Sequence, residues 1–134
     1  MKATYHGSCH CGAVTFSARI DLSRGTSRCN CSSCAKSRFW KAVLPAGDFA
    51  LKTGEDMLAD YTFGGHVIHH RFCTRCGVKP FGSFDMPELG GAMVAVNVAC
   101  LDTITPETLA SLPLSYEDGR HDAWERAPEV YDYL

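Results

Sequence analysis

Seven of the eight cysteines in this 134-residue chain fall into three compact groups. They are Cys9-His10-Cys11, Cys29-Asn30-Cys31-Ser32-Ser33-Cys34 and Cys73-Thr74-Arg75-Cys76. Thiolates spaced so tightly suit a soft metal such as zinc, which takes them at about 2.3 Å in a tetrahedron. A C-x-x-C turn sets two sulfurs on one side of an ion, and Gly77 lets the backbone curl so that amide N–H groups approach them. Gly12 punctuates the first group in the same way. Two such half-sites close one tetrahedron, Cys9 and Cys11 with Cys73 and Cys76. Cys29, Cys31 and Cys34 remain as a three-sulfur loop. A metal with four protein ligands is structural, and one with three keeps a position for chemistry.

Competing explanations make different demands. Cysteines can pack as small hydrophobes, but that does not require such grouping. Disulfides are disfavoured in a reducing compartment, and residues i and i+2 bridge poorly. An iron–sulfur cluster would use the same ligands and stays open as an alternative. Cys100 continues the series Val94, Val96, Val98 at period 2, so it reads as a core thiol. Were it a ligand of the second metal instead, both sites would be closed. His10, His66, His69, His70 and His121 are further candidates for a fourth ligand, each expected to be a surface or hydrogen-bonded residue.

The elements that must position these groups read mainly as β-strands. Val14, Phe16, Ala18 and Ile20 share one face of a strand over 13–20, opposite Thr15, Ser17 and Arg19. Further strands are predicted over 39–44 (stopping at Pro45), at Phe49–Leu51, over 58–63, over 67–73 and over 92–101. One helix is signalled, with Thr105 as N-cap, Pro106 at its first position, Glu107 near the positive dipole end and Pro113 as terminator. The pattern predicts an antiparallel β fold with metal-carrying loops and one short helix.

Length and composition bound the function. The chain suits one domain over 1–134, with no repeat or linker. At 46% hydrophobic and 21% charged residues it can bury a core. A net charge of −2 with scattered Lys and Arg argues against nucleic acid as a partner. The opening Met1-Lys2-Ala3-Thr4-Tyr5-His6-Gly7 lacks the apolar segment of a secretory leader, and no stretch approaches the ~20 apolar residues of a membrane helix. The expectation is a cytoplasmic protein with no membrane partner. Exposed sheet edges could pair two copies into a homodimer.

Gly7-Ser8-Cys9-His10-Cys11-Gly12-Ala13-Val14, the Cys29–Cys34 loop and Arg71-Phe72-Cys73-Thr74-Arg75-Cys76-Gly77 together resemble the glutathione-dependent formaldehyde-activating enzyme family, to which centromere protein V belongs. Asn97-Val98-Ala99-Cys100-Leu101-Asp102 and Asp118-Gly119-Arg120-His121-Asp122-Ala123-Trp124 resemble its short bacterial members. The likeness runs from about residue 5 to about residue 128. It implies an Mss4-like β-tent of antiparallel sheets. It implies two Zn2+ per chain, a structural one on Cys9, Cys11, Cys73 and Cys76 and a catalytic one on Cys29, Cys31 and Cys34. The activity it implies is that of a carbon–sulfur lyase, condensing formaldehyde with glutathione to S-hydroxymethylglutathione. The characterised members are longer and carry extra segments that help to bind glutathione, whereas this chain resembles the short, widespread members.

Three classes of function follow. The first is a lyase joining a small aldehyde to glutathione or a related thiol, with an open zinc lowering the pKa of the bound thiol. Lys36, Arg38 and Lys41 flank the three-cysteine loop and are candidates for glutathione's carboxylates. Ser32 and Ser33 could orient thiolates or simply make the turn. The second is a non-catalytic zinc-stabilised binding module with both sites closed. The third, a redox enzyme using Cys100 as nucleophile, ranks last, because no cation neighbours Cys100 in sequence to lower its pKa.

Overall fold

The computed structural model describes residues 1–134, and alternation of apolar residues builds most of it. Six elements come first: β1 (Ala3–Ser8), β2 (Thr15–Ile20), β3 (Thr26–Cys29), α1 (Ser32–Ser37), β4 (Trp40–Pro45) and β5 (Phe49–Thr53). Six more follow: β6 (Leu58–Tyr61), β7 (His69–Cys73), β8 (Phe81–Met86), β9 (Gly91–Asn97), α2 (Pro106–Ser111) and β10 (Leu114–Glu117). The strands form two sheets, ordered β1-β2-β5 and β10-β3-β4-β9-β8-β7-β6. The mainly β architecture with metal-site loops is the one expected. No helix is long and apolar enough to cross a membrane.

The core lies between the sheets. Phe16, Ala18 and Ile20 of β2 face Ala42 and Leu44 of β4, Phe81 of β8, and Val94 and Val96 of β9. Phe49 joins the layers, its ring 5.5 Å from Phe16 and 4.6 Å from Phe81. These buried side chains supply most of the driving force, because apolar area removed from water is the main favourable term in folding. Gly7 permits the closest approach. A Cβ there would lie 2.3 Å from the Phe16 ring and 2.8 Å from the Cys100 carbonyl.

The direction of the strands decides where the chemistry lies. Within the large sheet β3 runs antiparallel to β4, β4 to β9, β9 to β8 and β8 to β7, whereas β10 runs parallel to β3. Hence β3, β7, β9 and β10 point the same way and end along one edge, at Cys29, Cys73, Asn97 and Glu117. The small sheet is clamped to that edge. Gly7 bridges to Leu101, and Ser8 Oγ donates to Asp102 Oδ2 at 2.6 Å.

Several boundaries differ from the sequence expectation for local reasons. The strand expected over 92–101 stops at Asn97, whose side-chain oxygen accepts from Ala99 N and turns the chain into a 3-10 turn over Val98–Cys100. Cys100 is nevertheless buried in the core, as expected. The strand expected over 13–20 begins at Thr15, because Val14 O accepts from Cys9 N and closes the turn of the first cysteine group. The expected helix is present as α2, with Thr105 accepting from Thr108 N at 3.1 Å. A second helix, α1, lies in the three-cysteine loop, and the parallel β3–β10 pair interrupts an otherwise antiparallel sheet.

Replacing Gly7 by Ala should cost about 1–3 kcal/mol, the usual range for overpacking. Gly47, where an added Cβ meets nothing within 4 Å, should accept Ala within about 0.5 kcal/mol. Urea denaturation of the two variants measures both values, and equal losses would contradict this packing.

Candidate metal centres

The first and third cysteine groups are two versions of one turn. Cys9 N donates to Val14 O at 3.0 Å, and Cys73 N donates to Val78 O at 2.9 Å. Gly12 and Gly77 complete the turns with φ of 81° and 78°, which favour glycine. Met57 O accepts from both the backbone N and the hydroxyl of Thr74, and Thr53 Oγ1 donates to Ala13 O, so the 3-10 turn before β6 and the end of β5 lock the two turns. Gly54 allows this, since a Cβ there would fall 2.3 Å from Ala13 O.

These turns bring Cys9, Cys11, Cys73 and Cys76 together, with all four sulfurs within 4.8 Å of one another. The Cys9–Cys11 and Cys11–Cys73 sulfurs are 3.6 Å and 3.7 Å apart. A zinc–sulfur length of about 2.3 Å gives a tetrahedral edge of about 3.8 Å. The group therefore fits a zinc ion. Proton affinities point the same way. Backbone N–H groups of Val78 and Cys11 pull the Cys76 thiol down to about 6. The N–H of Ala13 favours the Cys11 thiolate, yet burial and the three neighbouring sulfurs outweigh it and push the thiol up to about 11. Four thiolates this close need a cation among them.

The second group lies at the end of β3. Cys29 is the last residue of that strand, Cys31 caps α1, and Cys34 sits in its first turn. Cys29 accepts from Cys31 N at 3.3 Å, and Cys31 from Cys34 N at 3.4 Å. The three sulfurs lie within 4.8 Å of one another, and no fourth His, Cys, Asp or Glu ligand atom joins them. Hydrogen bonds from Cys29 and Cys34 hold the Cys31 thiol far below the ordinary thiol range. Cys29 is pushed up chiefly by its hydrogen bond with Cys31, and Cys34 by those with Cys29 and then Cys31. A soft divalent metal would suit three such donors.

The loop after β10 braces this site. Buried Asn30 donates to Asp118 Oδ1 at 2.8 Å and accepts from Arg120 N at 2.9 Å. His121 Nδ1 donates to both Asp118 oxygens, at 2.9 Å and 3.0 Å. The Asn30 amide and then the His121 proton hold the Asp118 carboxyl low against the opposing effect of burial. The clamp is thus intact above the ordinary carboxylate range and is lost as pH falls through the lowered value. Gly119 sits where a Cβ would come within 2.5 Å of both Cys29 Sγ and the Trp124 ring. A cavity of about 710 Å³ opens beside Asn30, lined by Asp118, Arg120, His121, Arg126 and the C-terminal residues up to Tyr133.

The model of the glutathione-dependent formaldehyde-activating enzyme family matches residues 4–115. The chain belongs to that family. The matched span holds all seven grouped cysteines, whereas the Asp118 clamp lies beyond it. The crystal structure of a Rhodobacter sphaeroides protein superposes with a TM-score of 0.69 at 29% identity. The match covers 82% of this chain and 99% of that one.

Against this family background, the other sequence-picked residues are distributed unevenly. Cys100 joins neither sulfur group, and burial pushes its thiol up to about 12. Of the histidines, none joins the three sulfurs; His69 pairs with Asp60 and His66 with Thr62. Lys41 is taken by Glu117, and Arg38 donates to Tyr133 O at 2.8 Å. Lys36 and Ser32 are exposed, and Ser33 O accepts from Ser37 Oγ. Lys79, which carries no sequence motif, packs over the ring of Phe39, whose amide donates to Cys34 O. Only the fold's register brings it there.

The two groups should respond differently to substitution. Cys76→Ser should abolish cooperative unfolding, because a metal held by four thiolates contributes folding energy outright. Gly119→Ala should keep the fold and weaken metal retention at the three-cysteine group alone. Metal analysis with thermal denaturation checks both, and equal effects of the two variants would contradict the division.

Proposed function

We propose that the chain is a zinc-dependent carbon–sulfur lyase, condensing a small aldehyde with glutathione or a related thiol at Cys29, Cys31 and Cys34. One observation carries this reading: three sulfurs converge without a fourth protein ligand, on a loop whose Asn30 lines the cavity. Zinc bound there would lower the pKa of a thiol at its open position. Cys9, Cys11, Cys73 and Cys76 would hold a second, structural zinc. Family membership supports the choice of glutathione and formaldehyde as the substrate pair. The module reading with two closed sites requires a fourth protein ligand at the second group, and the histidines and Cys100 supply none.

The chain's own residues divide the remaining work. Arg120 and Arg126 line the cavity beside the three-cysteine loop and offer guanidinium groups to glutathione's carboxylates. They take the part that sequence proximity gave to Arg38 and Lys41: those two are held by Tyr133 O and Glu117, whereas the guanidinium groups of Arg120 and Arg126 make only the long contacts of 3.4 Å to Asn30 O and 3.9 Å to Asp118. Asn30 and Asp118 keep the loop after β10 against the cysteine loop, so binding and reacting groups move as one unit. Trp124 and Cys29 flank Gly119, so the indole lies near that sulfur.

Purified protein loaded with zinc should accelerate formation or breakdown of S-hydroxymethylglutathione above the uncatalysed rate. Replacing Arg120 and Arg126 together by Ala should raise the KM for glutathione about tenfold with a smaller change in kcat. No acceleration by wild-type protein with any of several small aldehydes would reject the lyase reading.

A further inference from the structure

Lys79 is a cation without a carboxylate. It makes no ion pair with any Asp or Glu. Its Nζ lies 4.1 Å from the centre of the buried Phe39 ring and 2.6 Å from His70 Nδ1. Phe39 lies two residues beyond the three-cysteine helix, its amide donating to Cys34 O at 3.3 Å. The backbone of Lys79 is fixed as well, since its carbonyl accepts from Asn97 Nδ2 at 3.0 Å. The titratable groups whose charge bears on it are Cys34 and Cys31 and, more weakly, Lys41. Burial lowers the Lys79 ammonium's proton affinity, and the two thiolates oppose that effect.

His70 is built to hold this cation. It is buried at 7% exposure, with its ring stacked 5.3 Å from Phe63 at 17°. Burial, and then Lys79, lower its proton affinity. An ammonium donor at Nδ1 places the ring proton on Nε2, and that atom is buried with no partner. A buried polar atom left unpaired is destabilising.

We infer that Lys79 is a catalytic residue of the three-cysteine site, binding and protonating the aldehyde oxygen, and that His70 is its positioning residue. The inference rests on the lyase reading proposed above. The thiol sulfur forms a bond to the carbonyl carbon, and the C=O π pair moves onto oxygen. Lys79 gives a proton to that oxygen, and the proton lost by the incoming thiol restores the ammonium. Thiol plus aldehyde thus becomes a hydroxyalkyl thioether with no oxidant or reductant.

Lys79→Met keeps the apolar stem over Phe39 and removes the charge. It should lower kcat about 100-fold, the usual loss for one oxyanion donor, with both metals retained. In cobalt-substituted protein, glutathione affinity read from the sulfur-to-metal absorption band should stay within about threefold of wild type. The ¹⁵N shift of His70 Nδ1 should move to that of an unbonded nitrogen, and an unmoved shift overturns the pairing. Wild-type turnover with Lys79→Met within about threefold overturns the inference and leaves the lyase reading standing. Absence of turnover in wild type overturns both. If Lys79→Met loses the second metal, Lys79→Gln replaces it, and loss in that variant too assigns Lys79 to the fold and overturns the inference.

Discussion

Sulfur atoms held within 4.8 Å of one another cannot all ionise unless a positive charge sits among them, and the fold brings two such groups together. Mutual repulsion of thiolates is therefore the constraint to which the rest of the molecule answers. The backbone answers with N–H groups aimed at Cys9, Cys29 and Cys31, and with glycine turns that allow the approach. The donor set answers with the geometry of a soft divalent metal. The sheet answers by ending four strands on one edge, so that ligands from β3 and β7 lie on a rigid frame rather than on free loops. Loss of the packing between Phe16, Phe49 and Phe81 would release the frame and with it the sulfur spacing.

Much of this was legible in the residues themselves. The cysteine grouping, the alternation of Val14, Phe16, Ala18 and Ile20, and the Thr105-Pro106 helix start are local signals, and each appears in the fold. Other features had no local signal. Helix α1 spans six residues, carries no apolar periodicity and begins on a cysteine cap, a residue that rarely announces a helix. Strands β1, β3, β8 and β10 are short or glycine-bearing, and the parallel β3–β10 pairing is a property of topology that no short window contains. Asp118 and Lys79 reach the three-cysteine group from 89 and 50 residues beyond Cys29, through pairing between distant strands.

The two sulfur groups also differ in what surrounds them. The four-cysteine group is closed by backbone and by its own ligands. The three-cysteine group is surrounded by side chains that bear charge or hydrogen-bonding capacity: Asn30, Asp118 and His121 on one side, Lys79 and His70 on the other. A purely structural metal requires no such polar surroundings. Three thiolates around a divalent ion carry a net negative charge, and a nearby uncompensated ammonium is the electrostatic complement. The same charge would serve an oxygen that becomes negative during carbon–sulfur bond formation. Family membership and this charge arrangement support one reading, in which the fold is stapled at one end of the edge and works at the other.

The central claim is the division of seven sulfurs into four and three, and X-ray absorption at the zinc edge tests it most directly. Fully loaded protein should show an average of about 3.5 sulfur neighbours per zinc, with the balance from a lighter atom. Added glutathione should raise the average toward about four as its sulfur takes the open position. An all-sulfur average before glutathione is added, or an average that glutathione leaves unchanged, would contradict the account.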